Sequence, residues 1–284
     1  MVHLPAQSDP PLSPRQTLPT MYDLPSENPE EPGLPDEFHG LQPLLLRQTF
    51  KPTHYNPEEI FIGADINLYY DLHHPNWYKR PDWFAVVGVS QLYEGRDLRL
   101  SYVLWQELVS PFVVVELLSP GTEEEDLGQT IQKIGSPPIK WHVYEQILRV
   151  PYYIVFSRYT NEIQIFRLVG GAYEPVQLTD GRLLIPQLGL SLGLWQGSYE
   201  TIERLWLRWF TLSGELILTP DEEAATANHR AILAEERAIL AEERAISAEE
   251  QAISAQQQAI SAQQRAERLA IRLRELGIDP EELE

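Results

Sequence analysis

Asp82, Glu116 and Lys140 are the residues whose types and surroundings point to chemistry. Glu116 stands inside the run Phe112 to Leu118, FVVVELL, the clearest strand in the sequence. A carboxylate there is costly to desolvate unless it is paired or coordinates a cation. Its plain reading is an edge strand with one wet face, or an ion pair to Arg or Lys. Its functional reading is a divalent-metal ligand, because a hard cation such as Mg²⁺ keeps several waters and needs only one or two carboxylates. Asp82 follows Pro81 and precedes the strand-like WFAVVGV, so it would supply a second carboxylate from a neighbouring strand. Taken alone it is more often a turn residue after proline. Lys140 opens a predicted helix one turn before Tyr144. Alone it reads as a solvated charge; beside two carboxylates and a metal, its ammonium could orient a water and offset charge developing on a phosphate. Asp, Glu and Lys around Mg²⁺, with Mn²⁺ as a substitute, suit phosphodiester hydrolysis.

Other groups offer less. His73 and His74 lie in a polar loop, and adjacent side chains point apart on extended backbone, so they read as surface residues. Ser119-Pro120-Gly121-Thr122 lacks the spacing of a phosphate-binding loop and reads as a strand-to-loop exit. Asp36 and Glu37 precede an apolar run and would cap a helix, with a third carboxylate from there reaching the site as an open option. Glu123 to Asp126 form an acidic turn of which only Asp126 is a candidate for the site.

The elements that must position these residues follow from pattern. Leu41 to Thr49 reads as a short helix or strand, and Ile60 to Tyr70 and Trp83 to Val89 as short apolar runs between turns. Pro138 to Leu148 reads as a helix, opening on proline and repeating Ile139, Val143 and Ile147 at spacing four. Tyr152 to Phe156, Glu162 to Leu168 and Ala172 to Leu178 make an antiparallel meander. The order predicts an α/β (α+β) fold with a central sheet flanked by helices. Trp206 and Trp209, three apart, are expected to share a helix face.

Both ends differ in kind. Residues 1–36 hold 9 of the 23 prolines and read as a largely irregular arm, with Met21, Tyr22 and Leu24 as apolar anchors for docking. From His229, five seven-residue repeats run from HRAILAE to QQAISAQ, predicting a long helix over 222–276 that Gly277 ends, with 277–284 as a tail. Ile232, Ile239, Ile246, Ile253 and Ile260 line one stripe without a second large apolar position. Ala231 and Ala234, repeated each heptad, offer a narrower seam. The helix is solvated, or pairs as a coiled coil in a homo-oligomer.

The 284 residues contain no cysteine, which excludes disulfides, thiolate metal sites and cysteine nucleophiles. Hydrophobic residues are 43% and charged residues 23%, with a formal net charge of −20. That acidity weighs against a strong non-specific hold on nucleic acid. No run of about 18 apolar residues appears, and the first residues lack a signal-like pattern, so the expectation is a cytoplasmic protein without membrane association.

The stretch Pro81 to Trp195 resembles the Uma-type restriction endonuclease family within the PD-(D/E)XK nuclease superfamily. The matching pieces are PDW at 81–83, VVELLSPGT at 114–122, Glu125-Asp126-Leu127, KWHVYEQ at 140–146, VPYYIVF at 150–156, FRLVGGAY at 166–173 and LGLSLGLW at 188–195. The resemblance implies a restriction-endonuclease-like central mixed sheet over 37–218, Mg²⁺ dependence and DNA cleavage. It carries the two acidic positions onto Asp82 and Glu116, as catalytic and metal-binding residues. Two departures stand out. Leu118 occupies the position, two after the second acid, where the superfamily has a lysine. The Uma-type lysine stands on the following helix, four before a tyrosine, which matches Lys140 and Tyr144. Residues resembling an insertion, Gly135-Ser136-Pro137-Pro138, precede it and make Lys133 a rival. Against the endonuclease stands a non-enzymatic alternative: a nuclease-like fold working as an interaction module through its heptad helix.

Overall fold

The computed structural model describes residues 36–119, 121–132 and 135–277. Apart from Asp36 the Pro-rich arm lies outside the described residues, and so do Lys133 and nearly all of the tail. The contacts divide the chain into two compact units, one ending at Thr219 and one beginning at Pro220.

The first unit is mixed α/β. Helix α1 (Glu37–Thr49) starts at Asp36, whose carboxylate accepts from the His39 N–H at 2.9 Å. Glu37 in its first turn and Arg47 in its last complement the helix dipole. Phe38, Gln42, Leu45, Leu46 and Thr49 recur at helical spacing and are buried. Thus Leu41 to Thr49, open between helix and strand by composition, is helix. Strands β1 (Ile60–Gly63), β2 (Leu68–Tyr69), β3 (Tyr78–Lys79), β4 (Trp83–Val87) and β5 (Tyr102–Val103) precede a single turn, α2 (Leu104–Glu107). Then come β6 (Val113–Leu117), the short α3 (Glu123–Asp126) and α4 (Lys140–His142), which runs into a π-helical turn at Val143–Ile147. The meander β7 (Tyr152–Phe156), β8 (Ile163–Val169) and β9 (Ala172–Pro175) follows. Strands β10 (Arg182–Ile185), β11 (Leu190–Tyr199) and β12 (Ile202–Thr211) complete the unit.

A mixed six-stranded sheet in the order β1-β4-β6-β7-β8-β9 forms the centre, with all pairs antiparallel except β6 and β7. A parallel pair needs a crossover, and here α3, α4 and the π turn supply it. Strands β4, β6 and β7 are buried at every residue, which explains their near-continuous apolar runs. One face packs Trp83, Val113, Val115 and Ile154 against Phe38, Leu45, Trp206 and Trp209. The other packs Phe84, Val114, Tyr153 and Val155 against Val143, Tyr144 and Tyr102. A second, antiparallel sheet, β10-β11-β12, lies beyond the first face, where the Gln42 amide bonds the Leu207 carbonyl at 2.7 Å and the Leu207 N–H at 2.9 Å. The smaller β3-β2-β5 sheet contributes Leu68 and Tyr102 to the second face.

Two local expectations change. Trp206 and Trp209 stand on β12, not on a helix, and both join the core on the first face. Trp206 stacks on Phe38 at 5.9 Å between ring centroids, and Trp209 meets Phe50 at 5.0 Å. The stripe Ile139, Val143, Ile147 does not form either. The π turn bonds Leu148 N–H to the Val143 carbonyl and Val150 N–H to the Tyr144 carbonyl, both at 2.8 Å. These wide turns shift the buried face to Val143, Tyr144 and Leu148 and leave Ile147 exposed.

Among the described residues the second unit is one helix, α5 (Pro220–Glu275), 56 residues long. None of its side chains is buried, and the five heptad isoleucines are about half exposed.

Candidate active site

Strand register assembles the centre of the site. Trp83 pairs with Val115 and Phe84 with Val114 in the antiparallel β4–β6 ladder. One step further, the same register sets Asp82 against Glu116. Alternation along the two strands puts both on the face of Phe84 and Val114, where cross-strand neighbours stand about 5 Å apart at Cβ. The β6–β7 crossover lies over this face and delivers Asp126, Lys140 and Tyr144.

Glu116 is wholly buried. Its Oε1 accepts from the Tyr144 hydroxyl at 2.7 Å and its Oε2 from Lys140 Nζ at 3.1 Å. The same ammonium reaches Asp126 Oδ1 at 2.7 Å, and Asp126 is 1% exposed. The Tyr153 hydroxyl donates to the Asp126 carbonyl at 2.8 Å and holds the α3 turn in place. Asp82 Oδ2 accepts the Leu117 N–H at 2.6 Å. Outside this centre, Glu125 takes Lys79 at 3.0 Å and the Lys140 N–H at 3.4 Å.

The charges are unbalanced. Burial, with repulsion from Asp126 and Asp82, pushes Glu116 up to about 8 in spite of Lys140 and Tyr144. Burial also raises Asp82, over the pull of His39, the Leu117 N–H and Lys140. Burial alone would lower Lys140, yet the Glu116 and Asp126 carboxylates hold it well above the ordinary lysine value. Asp82, Glu116 and Asp126 thus lie around one ammonium, which contacts the last two.

His39 joins them from α1. Its Nδ1 lies 2.7 Å from Asp36 Oδ1, and its Nε2 lies 3.1 Å from both the Leu117 carbonyl and Ser119 Oγ. Asp36 Oδ2 is in turn held by Arg158 at 2.8 Å. Burial opposes the charged ring, but Asp36 and then Asp82 raise His39 above its ordinary value. Although burial works the other way, bonds from His39, with Arg158 nearby, bring Asp36 down to about 2. A cleft of about 470 Å³ opens here, lined by Asp36, His39, Asp82, Ser119, Asp126 and Lys140 among others.

The structure thus brings Asp82, Glu116 and Lys140 together. It adds Asp126, weighed from sequence as the exception in its acidic turn, and Asp36, weighed as a cap. Composition gave no reason to single out His39; its signal was the spacing Asp36-x-x-His39 at a helix start. His73 and His74 are surface residues that share Asp71, at 3.5 and 2.6 Å. Ser119 and Thr122 close a turn, with the Thr122 N–H bonding the Ser119 carbonyl at 3.1 Å, at the exit of β6.

The donor set fits a hard divalent cation. Asp82 and Asp126 present carboxylates to the cleft, and the excess negative charge calls for a cation. Among the described residues no three His, Asp or Glu groups converge to ring an ion. One or two carboxylates with waters is therefore the arrangement available. Glu116 reaches the cleft only if Lys140 gives way, because both of its oxygens are engaged.

Among curated proteins, none matches the sequence. A solved structure, that of a "putative nuclease belonging to DUF820" from Anabaena variabilis, is similar at a TM-score of 0.37 and 11% identity, over 55% of this chain and 76% of that one. No helix among the described residues is long and apolar enough to cross a membrane. A family model, Uma2, described as "Putative restriction endonuclease", matches residues 15–204, more than half of the sequence, and the chain belongs to that family.

Proposed function

We propose that the protein is a DNA endonuclease dependent on Mg²⁺, with Mn²⁺ as a substitute, and that Asp82, Glu116 and Lys140 are its catalytic residues. The observation that carries this reading is the Lys140 ammonium bridging Glu116 and Asp126 beside Asp82, at the edge of an open cleft. Family membership supports a nuclease. Asp82 and Glu116 would hold the cation, with waters completing its shell. When bound, such a cation lowers the pKa of a coordinated water and neutralises phosphate charge. The chain's own groups do the rest. Tyr144 orients the Glu116 carboxylate, and the Leu117 N–H fixes that of Asp82. Lys140 supplies positive charge where the anionic transition state forms. Its place on the crossover makes up for Leu118, which stands where the superfamily has its lysine.

Purified protein incubated with supercoiled plasmid and Mg²⁺ is expected to nick it. Glu116→Ala is expected to lose at least about two orders of magnitude in rate. Equal nicking by the two proteins would refute the assignment.

Association through α5 is the second reading, and a specific charge pattern favours it. With Ala231 and Ala234 as the seam, Arg230, Arg237 and Arg244 flank one side and Glu235, Glu242 and Glu249 the other. A parallel, in-register second copy would pair each Arg with a Glu five residues on.

A further inference from the structure

The small sheet β3-β2-β5 carries a row of rings that neither core uses. Register settles its two faces. Leu68 pairs with Lys79 and Tyr102, and Tyr69 with Tyr78 and Val103. Leu68 and Tyr102 are wholly buried in the second core, so Tyr69 and Tyr78 stand on the opposite face. Their ring centroids lie 5.5 Å apart, and Trp105 on α2 meets Tyr69 at 6.4 Å. Tyr78 is 43% exposed and the other two rings are half-buried. The row is polar at its tips, where the Asn67 amide donates to Tyr69 Oη at 3.2 Å.

The row leads to the cleft. Arg80 follows Tyr78 by two residues, the spacing that returns to one face of an extended chain, and it lines the cleft. Its partner there is Asp65 at 2.7 Å, an exposed ion pair of a kind that holds a guanidinium only weakly. Glu107, two residues after Trp105, is engaged by Arg99 at 2.7 and 3.0 Å. We propose that the row from Arg80 through Tyr78 and Tyr69 to Trp105 stacks the bases of a single DNA strand leaving the cleft, with Arg80 on its phosphate. This rests on the nuclease reading of that cleft. Bases in a duplex already stack on one another, so open rings take up unpaired ones. Stacking accepts any base and does not depend on clustered Lys and Arg, which suits a chain of net charge −20.

The test reads binding without cleavage. Anisotropy of a fluorescein-labelled thymidine strand of about ten nucleotides, with the full chain in EDTA, measures affinity. A duplex of the same length is the comparison. Wild type is expected to prefer the single strand. Tyr78→Leu and Trp105→Leu should each weaken single-strand binding about tenfold, the effect of one stacked base, and leave duplex binding unchanged. Tyr78→Phe keeps the ring and should bind as wild type, which separates stacking from a lost hydroxyl. Arg80→Gln should make the slope of log affinity against log salt shallower by about one phosphate contact. Tyr78 is the most exposed of the three, so its two variants decide the matter if Trp105→Leu does not fold. Equal single-strand affinity in Tyr78→Leu and wild type would overturn the proposal, as would wild type that fails to bind the strand. A lower mass in solution for Tyr78→Leu, with DNA affinity unchanged, would overturn it in favour of a second copy on this face. Failure of the nuclease reading is seen separately, as plasmid left uncut by wild type in Mg²⁺ while the strand is still held.

Discussion

Two buried carboxylates share the Lys140 ammonium, and burial, with repulsion from Asp126 and Asp82, raises that of Glu116 in spite of it. Its carboxyl titrates at about 8 in the fold against an ordinary 4.5, so the folded state holds a proton that the unfolded chain has released. Stability should therefore fall as pH rises from about 4.5 to about 8. His39, raised above 6.5, adds to the same trend, since its contribution is present below 6.5 and lost on passing its folded value. Thermal melts of wild type and Glu116→Gln over this range separate the two. The variant should lose the Glu116 part of the slope and keep the His39 part, and identical slopes would locate the strain elsewhere. Lys140→Ala leaves two carboxylates buried without their cation and should cost about 3–5 kcal/mol, more at alkaline pH. Urea unfolding at two pH values checks both the size and the trend.

At the scale of elements, α1 and the β6–β7 crossover are the parts that build the cleft onto the sheet. The start of α1 depends on Asp36, which caps the helix, orients His39 and holds Arg158. Asp36→Ala should destabilise the first unit by about 1–2 kcal/mol through the lost cap. Asp36→Asn, which retains an acceptor, should recover most of the cap in a denaturant titration. The crossover shows how far the chain itself could be read. The apolar run around Glu116 and the spacing from Lys140 to Tyr144 were legible, because burial and helical reach are local properties. The π turn was not. A widened turn leaves no mark in residue types, and it was tertiary packing of Tyr144 against Glu116 and Tyr153 that selected it.

Across the whole molecule, the chain divides at Thr219 into a mixed α/β unit and a single helix with no buried side chain. Isolated helices draw most of their stability from packing, and one so exposed has only propensity and charge pairs to sustain it. Truncation after Thr219 should leave the melting temperature of the first unit unchanged within a few degrees. Mass in solution should drop from that of an oligomer to that of a monomer. An unchanged oligomeric state would remove α5 as an assembly device, and a collapsed melt would show that the first unit depends on it.

Sequence alone was sufficient for the β-branched strand holding Glu116, the heptad helix and the antiparallel meander. The strand follows from an unbroken β-branched run, the helix from a seven-residue repeat and the meander from short apolar runs between turns, all of them local to one segment. It also supplied the motif order behind the resemblance. Tertiary structure alone decided that Asp82 lies opposite Glu116, that Asp126 and Lys140 meet over them, and that His39 arrives from a helix near the start of the described chain. Register between strands and the path of a crossover depend on contacts between residues far apart in the chain, and no local pattern encodes them. The same reason hid the β10-β11-β12 sheet, where Trp206 and Trp209, at helical spacing, stand on a strand and join one core.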